Sequence, residues 1–293
     1  MRYVGRFAPS PTGPLHLGSL TTAVASYLHA RQAGGQWLVR IEDIDPPRAV
    51  PGASDDILRT LEAFDLHWDG PVLYQSQRHE QYAATAQRLL LHGLAFRCSC
   101  SRSALREAGA EGGPYPGTCR TRTIHEQPTA LRVFVEAGLE RFIDGLQGEI
   151  VTDLAATTGD YVIWRRDDLP AYHLAVVTDD AAQGVTTIVR GCDLIEPTAV
   201  HLHLQRVLGL EAPQYFHTPV LLNASGQKLS KQTGAVAVRA ADRAAVAHRV
   251  LERLGATVPN ELAGSTPRDL WRWAVEDWRI ESLRNRREWR SDR

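Results

Sequence analysis

Apolar and polar positions divide the chain into stretches of strand-like and helix-like spacing. Residues 2–8, RYVGRFA, read as a short strand broken by PSPTGP. The next stretch, LGSLTTAVASYLHARQAGG, has helical periodicity and ends on a glycine stop. QWLVRIED then reads as a second apolar strand. Strand, Pro/Gly turn, helix and strand make the βαβ unit of a parallel, doubly wound sheet. Helical spacing recurs near 51–66 and 78–93.

The character changes over 96–130, where Cys, Gly, Pro and Arg dominate and aliphatic residues are too few for a separate core. Strand-like segments return as TALRVFV, YVIW, HLAVVTDD and VTTIVRG, followed by a helix PTAVHLHLQRVLGL and a strand TPVLL. The last stretch is helical in pattern. The expected fold is α/β: a Rossmann-like parallel sheet in two halves, an inserted subdomain, and a short helical C-terminal region. The expected units are 1–95 for the first half of the nucleotide-binding domain and 96–130 for the cysteine-bearing part of the insert. The rest of the insert and the second half of that domain follow over 131–222, then a loop and helical region over 223–293.

Composition sharpens this. A chain of 293 residues with 43% hydrophobic content can bury a sizeable core, and a net charge of −1 gives no whole-protein field for nucleic acid. The last fourteen residues, from Ile280, are strongly basic and read as a solvated tail. Four cysteines do not suggest a disulfide scaffold. No signal-like start or membrane-length apolar run occurs, so a cytoplasmic protein without membrane contact is expected. No heptad or apolar stripe argues for a dimer, and a monomer is expected.

Both lysines of the chain lie in one short segment, GQKLSKQ, while every other long basic side chain is arginine. Lysine places a compact ammonium where the arginine fork is too broad, as a phosphate oxygen can require. Far upstream, RFAPSPTGPLHLGS sits between a strand and a helix start, which suits an anion. His16 there is either a plain helix-start residue or a phosphate contact. Neither a Walker loop nor a GxGxxG spacing is present.

PLHLG resembles the HIGH signature of class I aminoacyl-tRNA synthetases, and KLSKQ resembles their KMSKS signature. GRFAPSPTGPLHLGS with VRIEDIDPPR is similar to the glutamyl branch specifically. The resemblance covers roughly 1–240 and implies ATP binding by His16, Gly18, Ser19, Lys228, Ser230 and Lys231, with Mg²⁺ bridging the phosphates. His16, Lys228 and Lys231 would carry catalysis. Ser19 stands where the signature has its second histidine, and Leu229 and Gln232 depart from KMSKS without removing either lysine.

L-Glutamate offers two carboxylates and an ammonium, so its site needs arginine and a carboxylate. Arg6 and Arg190 fall at ends of expected parallel strands, Glu42 ends another, and Tyr172 can supply a hydroxyl and a wall. By resemblance the pocket is Arg6, Phe7, Ala8, Pro9 and Ser10 with Glu42, Tyr172 and Arg190. The competing reading is that Arg6 and Glu42 pair with each other.

Cys98, Cys100 and Cys119, among glycines and prolines, suggest one structural zinc site, with free thiols as the alternative. Chemistry alone favours His125 as fourth ligand. The resemblance favours Tyr115, through the pattern Cys-x-Cys…Tyr-x₃-Cys, and Tyr115 is preferred.

After Lys231 the sequence leaves no room for the anticodon-binding domain of ordinary glutamyl enzymes. In this the chain is similar to the truncated paralogues that activate glutamate without tRNA. Those enzymes transfer it to queuosine at the wobble position of tRNA(Asp). The alternatives are a compact enzyme charging a tRNA 3′ end, a non-catalytic regulator on a synthetase core, and a tRNA-binding module acting without ATP.

Overall fold

A computed structural model describes residues 2–110, 113–124, 128–222 and 236–290. Strand β1 (Val4–Phe7) leads through helix α1 (Leu17–Gln32) to β2 (Gln36–Ile41), which pairs with β1 in parallel from Val4↔Gln36 to Phe7↔Val39. This is the expected βαβ unit. Helix α1 buries Leu20, Ala23, Val24 and Leu28, and also Thr21 and Ser26, because the sheet covers one side of it and further helices the other. Ser26 earns its buried place by bonding: it accepts from Trp37 Nε1 at 3.0 Å and donates to Arg6 O at 3.2 Å. Helix α2 (Ala53–Ala63), strand β3 (Leu73–Tyr74), parallel to β2, and helix α3 (His79–Leu91) complete this half.

The middle of the chain is antiparallel. It holds β4 (Ala95–Cys98), the short helix α4 (Arg102–Glu107), β5 (Ala130–Val133), β6 (Leu139–Asp144), β7 (Gly148–Asp153), the single turn α5 (Leu154–Thr157) and β8 (Val162–Trp164). Strands β4, β5 and β8 form one sheet, and β6 and β7 a hairpin. The strand-like readings of TALRVFV and YVIW match β5 and β8. Periodicity does not single out the β6–β7 hairpin, whose β6 leaves Leu139 and Ile143 exposed.

One expectation is overturned: HLAVVTDD is not a strand but most of helix α6 (Tyr172–Ala182). Leu174, Ala175, Val176 and Val177 are consecutive and all buried, and such a run fits a helix enclosed on every side as well as a buried strand. The parallel sheet resumes with β9 (Thr187–Gly191), helix α7 (Ile195–Leu208) and β10 (Gln214–Thr218), which pairs with β9 in parallel. The two sheet halves meet where Thr186 N donates to Val4 O at 2.9 Å, so β1 and β9 lie side by side. The order turns outward in both directions from this point, where open α/β sheets bind ligands.

Strand β11 (Val220–Leu222) leads out of the sheet. Helices α8 (Arg243–Arg253) and α9 (Pro267–Asp277) pack on α1, contributing Val250, Leu251, Leu270 and Trp271 to the main core. The basic C-terminal stretch is not the solvated tail expected. Ile280 and Leu283 are buried, and β12 (Glu288–Arg290) pairs in parallel with β11. Those apolar anchors among the arginines hold the segment down. Among the described residues, no helix is long and apolar enough to cross a membrane.

Candidate active site

A cleft of about 650 Å³ opens at the C-terminal ends of β1 and β9. Its walls include Arg6, Phe7, Ala8, Ser10, Glu42, Tyr172 and Arg190, with His16, Gly18 and Ser19 alongside. Residues expected from separate parts of the sequence therefore converge. Pro9 does not line the cleft; its carbonyl accepts from Glu42 N at 3.0 Å and fixes that residue's backbone beside the β1 exit.

The floor is a buried ionic network. Arg6 Nε donates to Asp180 Oδ1 at 3.2 Å, and Arg40 Nη1 donates to the same oxygen at 2.7 Å. Arg40 also donates to Glu42 Oε1 at 3.2 Å. Arg6 and Glu42 thus do not pair with each other, as the competing reading had it; each has a different partner. Behind them Asp179 accepts from Arg78 at 2.6 Å, Gln75 at 2.8 Å and Tyr82 at 2.6 Å. Burial holds the Glu42 carboxyl above its usual range against the pull of Arg40 and Arg6. Burial alone would push Asp180 up as well, but Arg40 and Arg6 bring it below that range. Tyr172 opens α6, and burial pushes its hydroxyl up to about 12, so it stays a neutral donor.

Arg40, Asp179 and Asp180 were not singled out by the sequence. The available signal was an arginine inside an apolar parallel strand, QWLVRI: a fully buried guanidinium demands carboxylates nearby. The pair in TDD supplies them once that segment is read as a helix.

His16 is the N-cap of α1. Its Nδ1 accepts from Ser19 N at 3.2 Å, and Ser19 Oγ accepts from His16 N at 3.0 Å, a reciprocal capping box. Ser19 in place of a second histidine is what allows this. Gly18 beside it leaves the ring room, since a Cβ there would lie 3.2 Å from the His16 ring. His16 is thus a helix-start residue and also a wall of the cleft. Lys228, Ser230 and Lys231 lie outside the described residues. The chain leaves the cleft wall at β11 and returns at Ala237, which bridges to His16, with Val238 N bonded to Leu15 O at 3.0 Å.

In the insert, Cys98, Cys100 and Cys119 bring their sulfurs within 4.8 Å of one another. Cys100 and Cys119 are 3.6 Å apart, and the Tyr115 hydroxyl lies 3.4 Å from Cys98 Sγ and 3.7 Å from Cys100 Sγ. Burial raises the Cys119 thiol, but its bonds with Tyr115 and Ser99 outweigh this and bring it to about 7. Gly159 permits the fold-back, because at φ +63° a Cβ would meet Tyr115 N at 2.7 Å. His125 lies outside the described residues, and Cys192 is elsewhere, donating to His217 O at 3.3 Å.

A parallel sheet with its cleft at the β1/β9 junction and an inserted antiparallel unit is the catalytic core of a class I tRNA synthetase. The family model "tRNA synthetases class I (E and Q), catalytic domain" matches residues 3–263. A glutamate tRNA ligase from Elizabethkingia meningosepticum CCUG26117, solved in complex with its amino acid, superposes with a TM-score of 0.83 at 25% identity, over 100% of this chain and 67% of that one. The chain is 52% identical over 287 residues to glutamyl-Q tRNA(Asp) synthetase of Dechloromonas aromatica (strain RCB), covering 96% of this chain and 95% of that protein. It is 52% identical over 282 residues to the protein of the same name from Chromobacterium violaceum, covering 95% of this chain and 94% of that one. The chain belongs to the glutamyl-Q tRNA(Asp) synthetase family.

Proposed function

We propose that the protein activates L-glutamate with ATP and transfers it to queuosine in tRNA(Asp). The observation that carries this is the convergence of Arg6, Glu42, Tyr172, Arg190 and His16 on one cleft, in a chain of this family. The glutamate ammonium meets Glu42, and its carboxylates meet the arginine side of the cleft. No general base is needed, because the substrate α-carboxylate is itself the nucleophile. It attacks the α-phosphorus of ATP, forming glutamyl-adenylate and expelling pyrophosphate. Catalysis is positioning plus charge stabilisation, by His16 at the start of α1 and by Lys228 and Lys231, with Mg²⁺ on the phosphates. A hydroxyl of the queuosine cyclopentenediol then attacks the activated carbonyl and releases AMP.

Zinc fits the cysteine cluster. A tetrahedral ion with Zn–S bonds of about 2.3 Å sets sulfur–sulfur edges near 3.8 Å, close to the Cys100–Cys119 separation of 3.6 Å. Cys98, Cys100, Cys119 and Tyr115 would hold it, and it would tie the insert together without taking part in the chemistry. The protein works as a monomer in the cytoplasm.

The test is transfer of labelled glutamate, with ATP, to tRNA(Asp) with and without queuosine and to tRNA(Glu). Label on queuosine-containing tRNA(Asp) alone is expected. Label on tRNA(Glu) would instead make this a compact charging enzyme.

A further inference from the structure

The two arginines of the cleft are held very differently. Arg6 bonds to a carboxylate, Asp180, which Arg40 also shares. Arg190 is equally buried, yet its bonds run to neutral groups. Its Nε donates to His217 Nε2 at 3.1 Å, and its Nη1 to His201 Nδ1 at 3.2 Å. Its Nη2 donates to Thr198 Oγ1 at 2.7 Å and to Leu194 O at 3.2 Å. Among the described residues, no carboxylate is hydrogen-bonded to it. Neutral acceptors fix the direction of a guanidinium while leaving its charge to be met by a ligand.

A carboxylate acts through one of those acceptors. His217 Nδ1 lies 2.6 Å from Asp144 Oδ2. With its proton on Nδ1 toward Asp144, the imidazole must present a lone pair at Nε2, and this is where Arg190 donates. Asp144 is itself aimed by the hairpin turn: its Oδ1 accepts from Leu146 N at 2.9 Å and Gln147 N at 2.8 Å. The turn reaches β10 only because residue 145 is glycine, since a Cβ there would sit 2.2 Å from the Phe216 ring.

We infer that Asp144 and His217 form a positioning relay that holds Arg190 as a charged receptor for the second carboxylate, so that the cleft accepts glutamate and rejects glutamine. This rests on reading the cleft as the glutamate site, and names which arginine takes which end of the substrate. Arg6, already matched by Asp180, is left to orient the α-carboxylate end. An amide at Arg190 would forfeit the ion pair and offer one acceptor oxygen in place of two.

Asp144→Asn is a sharp probe. The Leu146 and Gln147 amides select the asparagine oxygen, which turns its NH₂ toward His217 Nδ1. The ring must then accept there and carry its proton on Nε2, facing the Arg190 N–H. In ATP–pyrophosphate exchange, the KM for glutamate is expected to rise about tenfold or more while the KM for ATP is unchanged. The preference for glutamate over glutamine should fall by a similar factor. His217→Phe, which removes the acceptor, should act likewise, and His217→Gln, which restores one, should raise the KM less. The His217 pair decides the matter if Asp144→Asn fails to fold. Folded Asp144→Asn and His217→Phe proteins with the wild-type KM for glutamate overturn the relay, as does an equal rise in both KM values. Wild-type protein without glutamate-dependent exchange would instead bring down the reading of the cleft on which the relay depends.

Discussion

At the floor of the cleft, Arg6 from β1, Arg40 from β2, Glu42 just past it and Asp180 from α6 neutralise one another with little exposure. In the insert, Cys98, Cys100, Tyr115 and Cys119 come from one short stretch with few apolar neighbours, chiefly Phe96, Ile124 and Phe134. The cleft borrows its rigidity from the main core behind it, so its charges can be buried in fixed directions. The cysteine cluster has little core to borrow from, and the zinc proposed for it would supply the missing centre. Buried charge is expensive, and it is tolerated where each group has its partner. The difference shows why the catalytic region can carry dense ionic chemistry and the insert a single compact knot.

The strongest way to break this contrast is to take away the shared carboxylate. Asp180→Ala leaves Arg6 and Arg40 buried beside an excess of positive charge. Global stability should drop by about 3–5 kcal/mol in denaturant titration. A loss below about 1 kcal/mol would mean that the network is not the frame of the cleft.

Cys98→Ser, or a chelator, acts on the other side. Zinc, one per chain by elemental analysis, should be lost, and amide protection should fall by about 2–3 kcal/mol within the insert alone. The KM for ATP should stay as it was. Metal-free protein with full protection of 96–124 would rule out the zinc knot.

Mild acid gives the smallest effect per group and separates the regions again. Burial lowers His173 to about 4 and holds His201, His203 and His217 below their ordinary value. Between pH 6.5 and about 4 the unfolded chain binds protons that the folded one refuses, so stability falls as pH falls through that window. The first pH unit below 7 costs less than about 1 kcal/mol for each histidine. Asp144 and Asp180, both depressed, add stability above about pH 4 that is lost only in stronger acid. A melting temperature flat from pH 7 to 4.5 would show that these histidines are hydrated.

The parts of the site visible in the sequence were those whose residue types the chemistry itself demands. His16, Arg6, Glu42 and Arg190 sit at strand ends or a helix start, and the cysteines lie close together in the chain. The supporting residues were hidden because their partners are remote. Arg40 looks like one more position in an apolar strand until Asp179 and Asp180 come across from α6, and that helix was obscured by its unbroken apolar run. Asp144 and His217 meet only because a hairpin without strong periodicity folds onto β10 at Gly145. The basic C-terminal stretch looked solvated because charge outnumbers its few anchors.

The pairing of Val4 with Thr186, 182 residues further on, bears on how the molecule is made. On the ribosome, Cys100 can find Tyr115 across 15 residues and Cys119 across 19 as soon as that stretch emerges. β1 has no neighbour on its β9 side until more than half of the chain is out, and β11 waits longer still for β12. The cysteine knot is thus among the first parts able to reach final form, and the cleft among the last.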